Sequence, residues 1–385
     1  MSGGTRAPGP LAGMRIIELG GIGPVPFAAM VLADLGAEVI RVQRPADRKA
    51  PQNPVLDRGR RSLIVDLKNP RGAAVVQSLI DGADAVLEGF RPGVAERLGF
   101  DPAKLAERSP RLVFGRMTGY GQDGPMAMRA GHDINYIALS GALGAIGRPG
   151  SPPTPPLNLV GDFGGGGMLL AVGVLAAMLN ARTTGRGQVV DAAMVEGSGL
   201  LMAMIYGRLA QGVWTVDRGR NVLDGGAPFY DAYECADGRH IAVGAIEPQF
   251  FANLVDVLGV AGSVDLAAQR DRETWPEMRE TFTKAFKEAT RDEWVERFAG
   301  VDACVSPVLT MDEVVAHPHN ADRESFFTDS GGAIHPRPAP RFADTPTGLP
   351  GPAPVPGQDT HAILSELGHT SEEIEDLLAE GAVVR

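Results

Sequence analysis

Cysteine is almost absent from this sequence. The 385 residues hold two, Cys235 and Cys304, and no CxxC pair. That removes a disulfide framework, a zinc ribbon and a redox dithiol from consideration, and it fits a reducing, cytoplasmic compartment. A basic excess is also missing. Lys and Arg number 36 against 47 Asp and Glu, a net charge of −11, so general nucleic-acid binding is not expected. The N-terminal stretch MSGGTRAPGPLAG has no apolar core, so it does not read as a signal peptide. The longest apolar stretch, from Met168 to Leu179, is about a dozen residues, too short for a bilayer. No membrane partner is therefore expected. G-x-S-x-G, the Walker A loop and HExxH do not occur, and His317 and His319 have no third ligand at metal spacing. No metal site is expected.

What the chain has in quantity is glycine (50) and proline (30). Between these punctuation points, strand and helix patterns alternate. Residues 14–19, 38–42, 62–67, 85–87 and 112–115 read as buried strands, and helices are expected over 27–35 and 71–80. Strands alternating with helices of this length indicate βαβ units and a mostly parallel sheet, which binds ligands at the carboxyl ends of its strands. After the proline-rich 150–156 comes an apolar helix over 164–182, a strand over 188–192 and a second apolar helix over 196–209. From residue 225 the pattern changes to two strands around Asp237-Gly238, followed by charged amphipathic helices. The expected organisation is α/β. A mostly parallel sheet occupies the first part of the chain, and 220–330 reads as a second, smaller α+β domain. Thr370 and Glu373 have capping-box spacing ahead of a final helix.

The turn after the first strand, GGIGPVP, fails the dinucleotide fingerprint, because Pro26 stands where the third glycine belongs. The second strand ends in Gln43-Arg44 instead of the acid that holds a ribose diol. Arginines recur near the expected strand ends: Arg41, Arg44, Arg58, Arg60, Arg61 and Arg91. They suit a phosphorylated handle such as that of coenzyme A, or equally a solvated face paired with the abundant acids.

Three glycine-flanked segments concentrate ionisable groups. TGYGQDGPMAMRAGHDINY carries His132 and Asp133, NLVGDFGGGG carries Asp162, and GAIEPQF carries Glu247. Asp162 is placed to cap the helix that follows it. A cap alone does not require Gly164–Gly167, each costly at a helix start. Four glycines permit close ligand approach, with helix N–H groups available to a developing oxyanion. His132 is either a structural histidine or an acid–base group.

With these segments in view, the chain resembles the family III CoA-transferases, and within that superfamily the racemase branch. The resemblance rests on LAGMRIIELGGIGPVPFAAMVLADLGAEVIRV, EGFRPGVAERLG, AGHDINY, PLNLVGDFGGGG, GGAPFYDAYECADGRHIAVGAIEPQF and the tail SEEIEDLLAEGAV. Gln43 departs from it, since relatives usually carry Glu there. The resemblance implies a large Rossmann-like domain built from both chain ends, 1–186 and 331–385, joined through a linker helix region, 187–219, to the small domain 220–330. It also implies an interlocked homodimer with active sites between the large domain of one subunit and the small domain of the other. It implies two-base exchange of the α-proton of a 2-methylacyl-CoA thioester through an enolate, with His132 and Asp162 as the bases. Glu247 would orient the histidine across the interface, and Asp133 would support the polar network. Arg44 and Arg91 would lie near the CoA phosphates, with Met117 and Tyr120 along the pantetheine. CoA is part of the substrate, and no further cofactor is required. The alternative of the same fold is a CoA-transferase in which Asp162 is the nucleophile. Members of that group generally lack the GHD histidine. The 13 methionines offer a sliding surface for an acyl tail, or ordinary core packing.

Overall fold

The computed structural model describes residues 9–384; most of the leader stretch, 1–8, lies outside them. The chain forms two compact units. One comprises the chain up to Ser140, Leu157–Leu201 and everything from His319 on. The other comprises Gly141–Pro156 and Met202–Pro318.

The strands in chain order are β1 (Arg15–Leu19), β2 (Glu38–Gln43), β3 (Arg61–Val65), β4 (Ala85–Glu88), β5 (Val113–Thr118), β6 (Val189–Ala193), β7 (Tyr230–Glu234), β8 (His240–Gly244), β9 (Val305–Pro307), β10 (Phe326–Thr328), β11 (Ile334–Pro336) and β12 (Val383–Val384). Seven of them build the sheet of the first unit in the order β12-β3-β2-β1-β4-β5-β6. Every pairing is parallel except β12 on β3. The central strands are buried on both faces, which explains their near-continuous apolar sequences. One face is covered by the helix Pro24–Asp34 and the apolar helix Leu169–Thr184, through Val25, Ala28, Leu32, Leu170 and Val174. The other is covered by the helix Pro70–Asp81 and the C-terminal helices, through Val76, Leu79, Ile363 and Ile374. The strand order reverses between β1 and β4, so the loops leaving these two strands, Gly20–Gly23 and Gly89–Arg91, flank the crevice where such sheets take ligands.

Three sequence expectations are corrected here. The apolar helix does not start near Gly164. A π-helix over Leu159–Met168 runs directly into Leu169–Thr184, giving 26 continuous helical residues. That run is long and apolar enough to cross a membrane by length and composition, which a dozen residues are not, yet Gly165, Gly166, Gly167, Leu170 and Val174 are buried within the unit. The second correction concerns 187–219. It is not a linker throughout, because Val189–Ala193 pairs with β5 as the edge strand of the sheet. The helix expected over 196–209 is two helices, Met194–Leu201 and Ala203–Ala210, and the division between units falls between them. Finally, the β10–β11 hairpin straddles the boundary placed at 330 and belongs wholly to the first unit.

The second unit holds the antiparallel sheet β7-β8-β9. Its β7–β8 hairpin turns at Asp237-Gly238, where Gly238 takes φ +78, a conformation glycine adopts without strain. Phe251, Phe282, Phe286 and Trp294 pack its core. At the C-terminal end of the first unit, Thr370 caps the helix Ser371–Ala379. The Thr370 N–H donates to Glu373 Oε2 at 2.8 Å, and the Glu373 N–H donates to Thr370 Oγ1 at 3.2 Å.

Candidate active site

Asp162 lies one turn into the π-helix, so it is not the cap; that position is Asn158. Asn158 Nδ2 donates to Asp162 Oδ2 at 3.2 Å. The carboxylate lies against the turn after β1, where a Cβ on Gly23 would stand 2.8 Å from Asp162 Oδ2. Gly23 has φ +69, so both its conformation and its contact with the acid call for glycine. Phe163, the next residue, stacks on Phe27 at 4.4 Å between ring centres and ties the π-helix to the helix Pro24–Asp34.

His132 and Asp133 open the helix Asp133–Leu139, which leads away from the loop after β5. The His132 ring is on an exposed residue, while its backbone N–H donates to Asn135 Oδ1 at 3.0 Å. Asp133 is buried. Its Oδ1 accepts the Asp162 N–H at 2.6 Å, and its Oδ2 has no hydrogen-bond partner among the described residues. Gly161 makes this approach possible, since a Cβ there would lie 2.5 Å from Asp133 Oδ1. Behind His132, the Tyr136 hydroxyl donates to the Gly131 carbonyl, and the Tyr136 ring meets Tyr120 edge-on at 5.0 Å. Burial, with Tyr120 and Asp162 adding to it, pushes the Tyr136 phenol up to about 12, so it stays a neutral donor near neutral pH.

The electrostatics of Asp162 suit proton transfer. Burial lifts its pKa above the ordinary carboxylate value, and the charge of Asp133 adds to the rise. The Asn158 hydrogen bond and the charge of His132 pull the other way without cancelling it. A carboxyl of raised proton affinity near a histidine forms an acid–base pair of two different chemical types.

The glycines after Asp162 serve packing. Gly165 lies against the backbone of Gly197 and Ser198, Gly166 against Met194 and Pro24, and Gly167 against the Pro24 carbonyl and Phe27. They let the π-helix press onto two neighbouring helices. Being interior to the helix, their N–H groups are not those of a helix start, and the expectation that Gly164–Gly167 donate to an oxyanion is withdrawn.

Five of the six arginines are paired with acids. Arg41 meets Asp57 at 2.5 Å and Arg58 meets Asp34 at 2.5 Å. Arg60 meets Glu18 at 3.1 Å, Arg61 meets Glu38 and Glu366, and Arg44 meets Asp47 at 2.8 Å on the surface. Arg91, exposed in the loop after β4, makes no ion pair among the described residues, and its charge acts on Tyr136. Its loop is braced from below: the Phe90 N–H donates to the buried Glu88 Oε2 at 2.6 Å, and Arg116 Nε donates to Glu88 Oε1 at 2.8 Å. Met117 is 2% exposed and packed in the core, so its side chain has no surface for a ligand, whereas Tyr120 is half-buried beside Gly131. Gln43 is a core contact whose Oε1 accepts from Ser62 Oγ at 2.6 Å. Glu247 stands exposed in the second unit, ahead of the helix Pro248–Val257. Burial, and then the charge of Glu247, push up the pKa of the Cys304 thiol. Among the described residues no group of three or more His, Cys, Asp or Glu is arranged to hold a metal.

Asn158, Tyr136 and Gly23 were not singled out from the sequence. Asn158 opens the same NLVGD stretch as Asp162, and Tyr136 follows His132 by one helical turn, so both were within reach of a search at i+4 spacing.

A Rossmann-like parallel sheet with a carboxyl and a histidine at the strand ends defines the class of protein, and a family description makes it definite: CoA-transferase family III matches residues 11–360. The chain belongs to that family. It is 48% identical to the human protein named alpha-methylacyl-CoA racemase, over 95% of this chain and 96% of that one. It is 30% identical to succinyl-CoA–D-citramalate CoA-transferase of Chloroflexus aurantiacus, over 98% and 99%. A solved CaiB/BaiF family protein from Brucella suis shares the fold, with a TM-score of 0.80 at 24% identity over 94% of this chain and 100% of that one.

Proposed function

We propose that this protein is a racemase that interconverts (2R)- and (2S)-2-methylacyl-CoA thioesters. The observation that carries the reading is the pairing of His132 with an Asp162 whose pKa is raised. A transferase nucleophile needs the carboxylate alone. An exchange of the α-proton needs one base on each face of the carbon, and here one base is an imidazole and the other a carboxyl whose hold on a proton is strengthened by burial. One takes the proton, the thioester carries the charge as an enolate, and the other returns a proton to the opposite face. The 48% identity to a protein of that name supports the assignment. Asp133 fixes the Asp162 backbone and stands beside both bases. Arg91 is free to meet a CoA phosphate, and Arg44 can do so on releasing Asp47, with Tyr120 along the pantetheine. CoA enters as part of the substrate, and no other cofactor is required.

The reading includes an interlocked homodimer, in which Glu247 of the partner subunit orients His132. Support comes from apolar side chains left in water by the single chain, including Leu159 (55% exposed), Val172 (56%), Leu179 (69%) and Leu200 (61%). Exposed large apolar side chains along one long helix and its neighbour favour an association surface there. Cytoplasmic location is part of the proposal, supported by two free cysteines, one of them exposed. No membrane span is assigned to Leu159–Thr184, because its glycine-rich start is packed against neighbouring helices.

The test is proton NMR of an enantiopure 2-methylacyl-CoA in D₂O with purified protein and no acceptor acid. Loss of the α-proton signal with epimerisation is expected, and both His132→Ala and Asp162→Ala should abolish racemisation. No exchange, followed by CoA transfer once succinate is added, would make Asp162 a nucleophile and remove the racemase assignment.

A further inference from the structure

The second unit contains a cavity of about 850 Å³ that the proposed reaction does not use. That is within the size range of sites for small organic ligands. Its charged lining is all arginine: Arg148, Arg220, Arg272 and Arg279. The four stand in different states. Arg279 is committed to structure, pairing with Asp231 and donating to the carbonyls of Gly225 and Gly226 at 2.8 and 2.9 Å. Arg148 donates both its Nη groups to the same Asp231, at 2.8 and 2.6 Å, yet keeps its side chain 56% exposed. Two cations thus share one carboxylate. Arg272 donates to the Val213 carbonyl at 3.2 Å and makes no ion pair among the described residues. Arg220 has only Asp217 at 3.9 Å, with both side chains open to water. The lining is left cationic on a chain whose net charge is −11.

The walls are built to hold this arrangement. Arg218 donates to the carbonyls of Gly144 at 3.0 Å and Ser151 at 2.7 Å, fixing the loop that presents Arg148. The loop carrying Arg220 is organised from inside by Asn221, 1% exposed, which exchanges hydrogen bonds with the Thr215 backbone at 2.8 and 3.0 Å. Asp224 accepts the N–H groups of Gly219, Asn221 and Gly226. Gly219, at φ +69, lies directly against Pro149, where a side chain would collide. Trp275, otherwise a core residue at 6% exposure, lines the cavity with the Arg272 guanidinium 5.8 Å above its ring. Such a loop spends much of its polar capacity on its own rigidity and leaves two guanidiniums uncommitted. Guanidiniums present forked donors that match the paired oxygens of carboxylates and phosphates.

We propose that this cavity is a second ligand site, taking a small organic anion whose carboxylate or phosphate lies among Arg148, Arg220 and Arg272 and whose flat or apolar body lies against Trp275 and Pro149. None of its lining residues is among those proposed to meet CoA, and the site does not depend on the racemase reading.

The experiment uses the full chain and two probes of one skeleton, phenylacetate and phenyl phosphate, with phenylacetamide as the uncharged control. Binding is followed by titration calorimetry and by tryptophan fluorescence. Saturable binding of one anion per chain is expected, absent for the amide, and the tighter of the two probes assigns the site to carboxylates or to phosphates. Arg220→Gln with Arg272→Gln should weaken it at least about tenfold, the usual scale for losing charge-assisted hydrogen bonds. Should the double variant fold poorly, Arg220→Gln alone, at a solvent-exposed position, reads the same effect. Absence of saturable anion binding, equal binding by the amide, binding unchanged in the variants, or displacement of the probe by free CoA would each overturn the proposal.

Discussion

The backbone N–H of Asp162 donates to the carboxylate of Asp133 at 2.6 Å, so one acid holds the other in place while raising its pKa by charge. The buried partner does the positioning, and the half-buried one is the group proposed to exchange a proton.

Asp133→Asn keeps the shape and the acceptor oxygen but removes the charge. Since the Asp133 carboxylate raises the Asp162 pKa, the substitution lowers it. In the direction where Asp162 acts as base, activity falls as pH drops below its pKa. The acid limb of the kcat/KM profile should therefore move to lower pH. An unmoved limb with reduced kcat would mean that Asp133 acts through position alone.

Asp162→Asn separates function from stability. A carboxyl whose folded pKa lies above its unfolded value destabilises the fold once ionised, above that unfolded value. The amide removes this cost. At neutral pH the variant should unfold at a slightly higher temperature than the parent while losing about 10³-fold in α-proton exchange, the range of general acid–base catalysis. Calorimetric melting beside the NMR assay checks both halves.

Tyr136→Phe removes the donor to the Gly131 carbonyl and nothing else of size. Because the phenol stays neutral to about 12, its loss should not introduce a new limb into the pH profile between pH 5 and 9. A loss of about 1 kcal/mol in stability is expected. If the hydrogen bond holds the His132 loop in its working position, kcat should fall and KM should change little.

Gly165→Ala tests the packing role of the glycines after Asp162. A Cβ there meets the backbone of Ser198 and Gly197, which cannot move as a side-chain end can. Destabilisation of about 2–3 kcal/mol is expected from denaturant titration. A neutral result would show that the π-helix and the helix Met194–Leu201 can separate without cost.

The strands of the first unit were legible because strands buried on both faces carry mostly apolar runs, as in Arg15–Leu19 and Ala85–Glu88. His132 and Asp162 stood out because each is an ionisable residue set among glycines. The π-helix was hidden by those glycines: they read as a break, and only their packing against Gly197, Ser198, Met194, Pro24 and Phe27 explains them. The state of the arginines was equally out of reach. Arg61 takes its carboxylates from Glu38 and from Glu366, 305 positions away, and no local pattern reports such a partner. The cavity of the second unit depends on loops that meet only after folding, so Arg148 and Arg220 carried no signal in sequence.

The edge strand β12 has a consequence for how the chain acquires its structure. Val383 and Val384 pair with Ile64 and Val65 in β3, and the Gly357 N–H donates to Ser62 Oγ across 295 positions. The entire second unit is spelled out between those partners. Closing so long a loop is entropically slow. During synthesis, then, β3 remains an open edge until β12 has been made, long after the β2 strand on its other side.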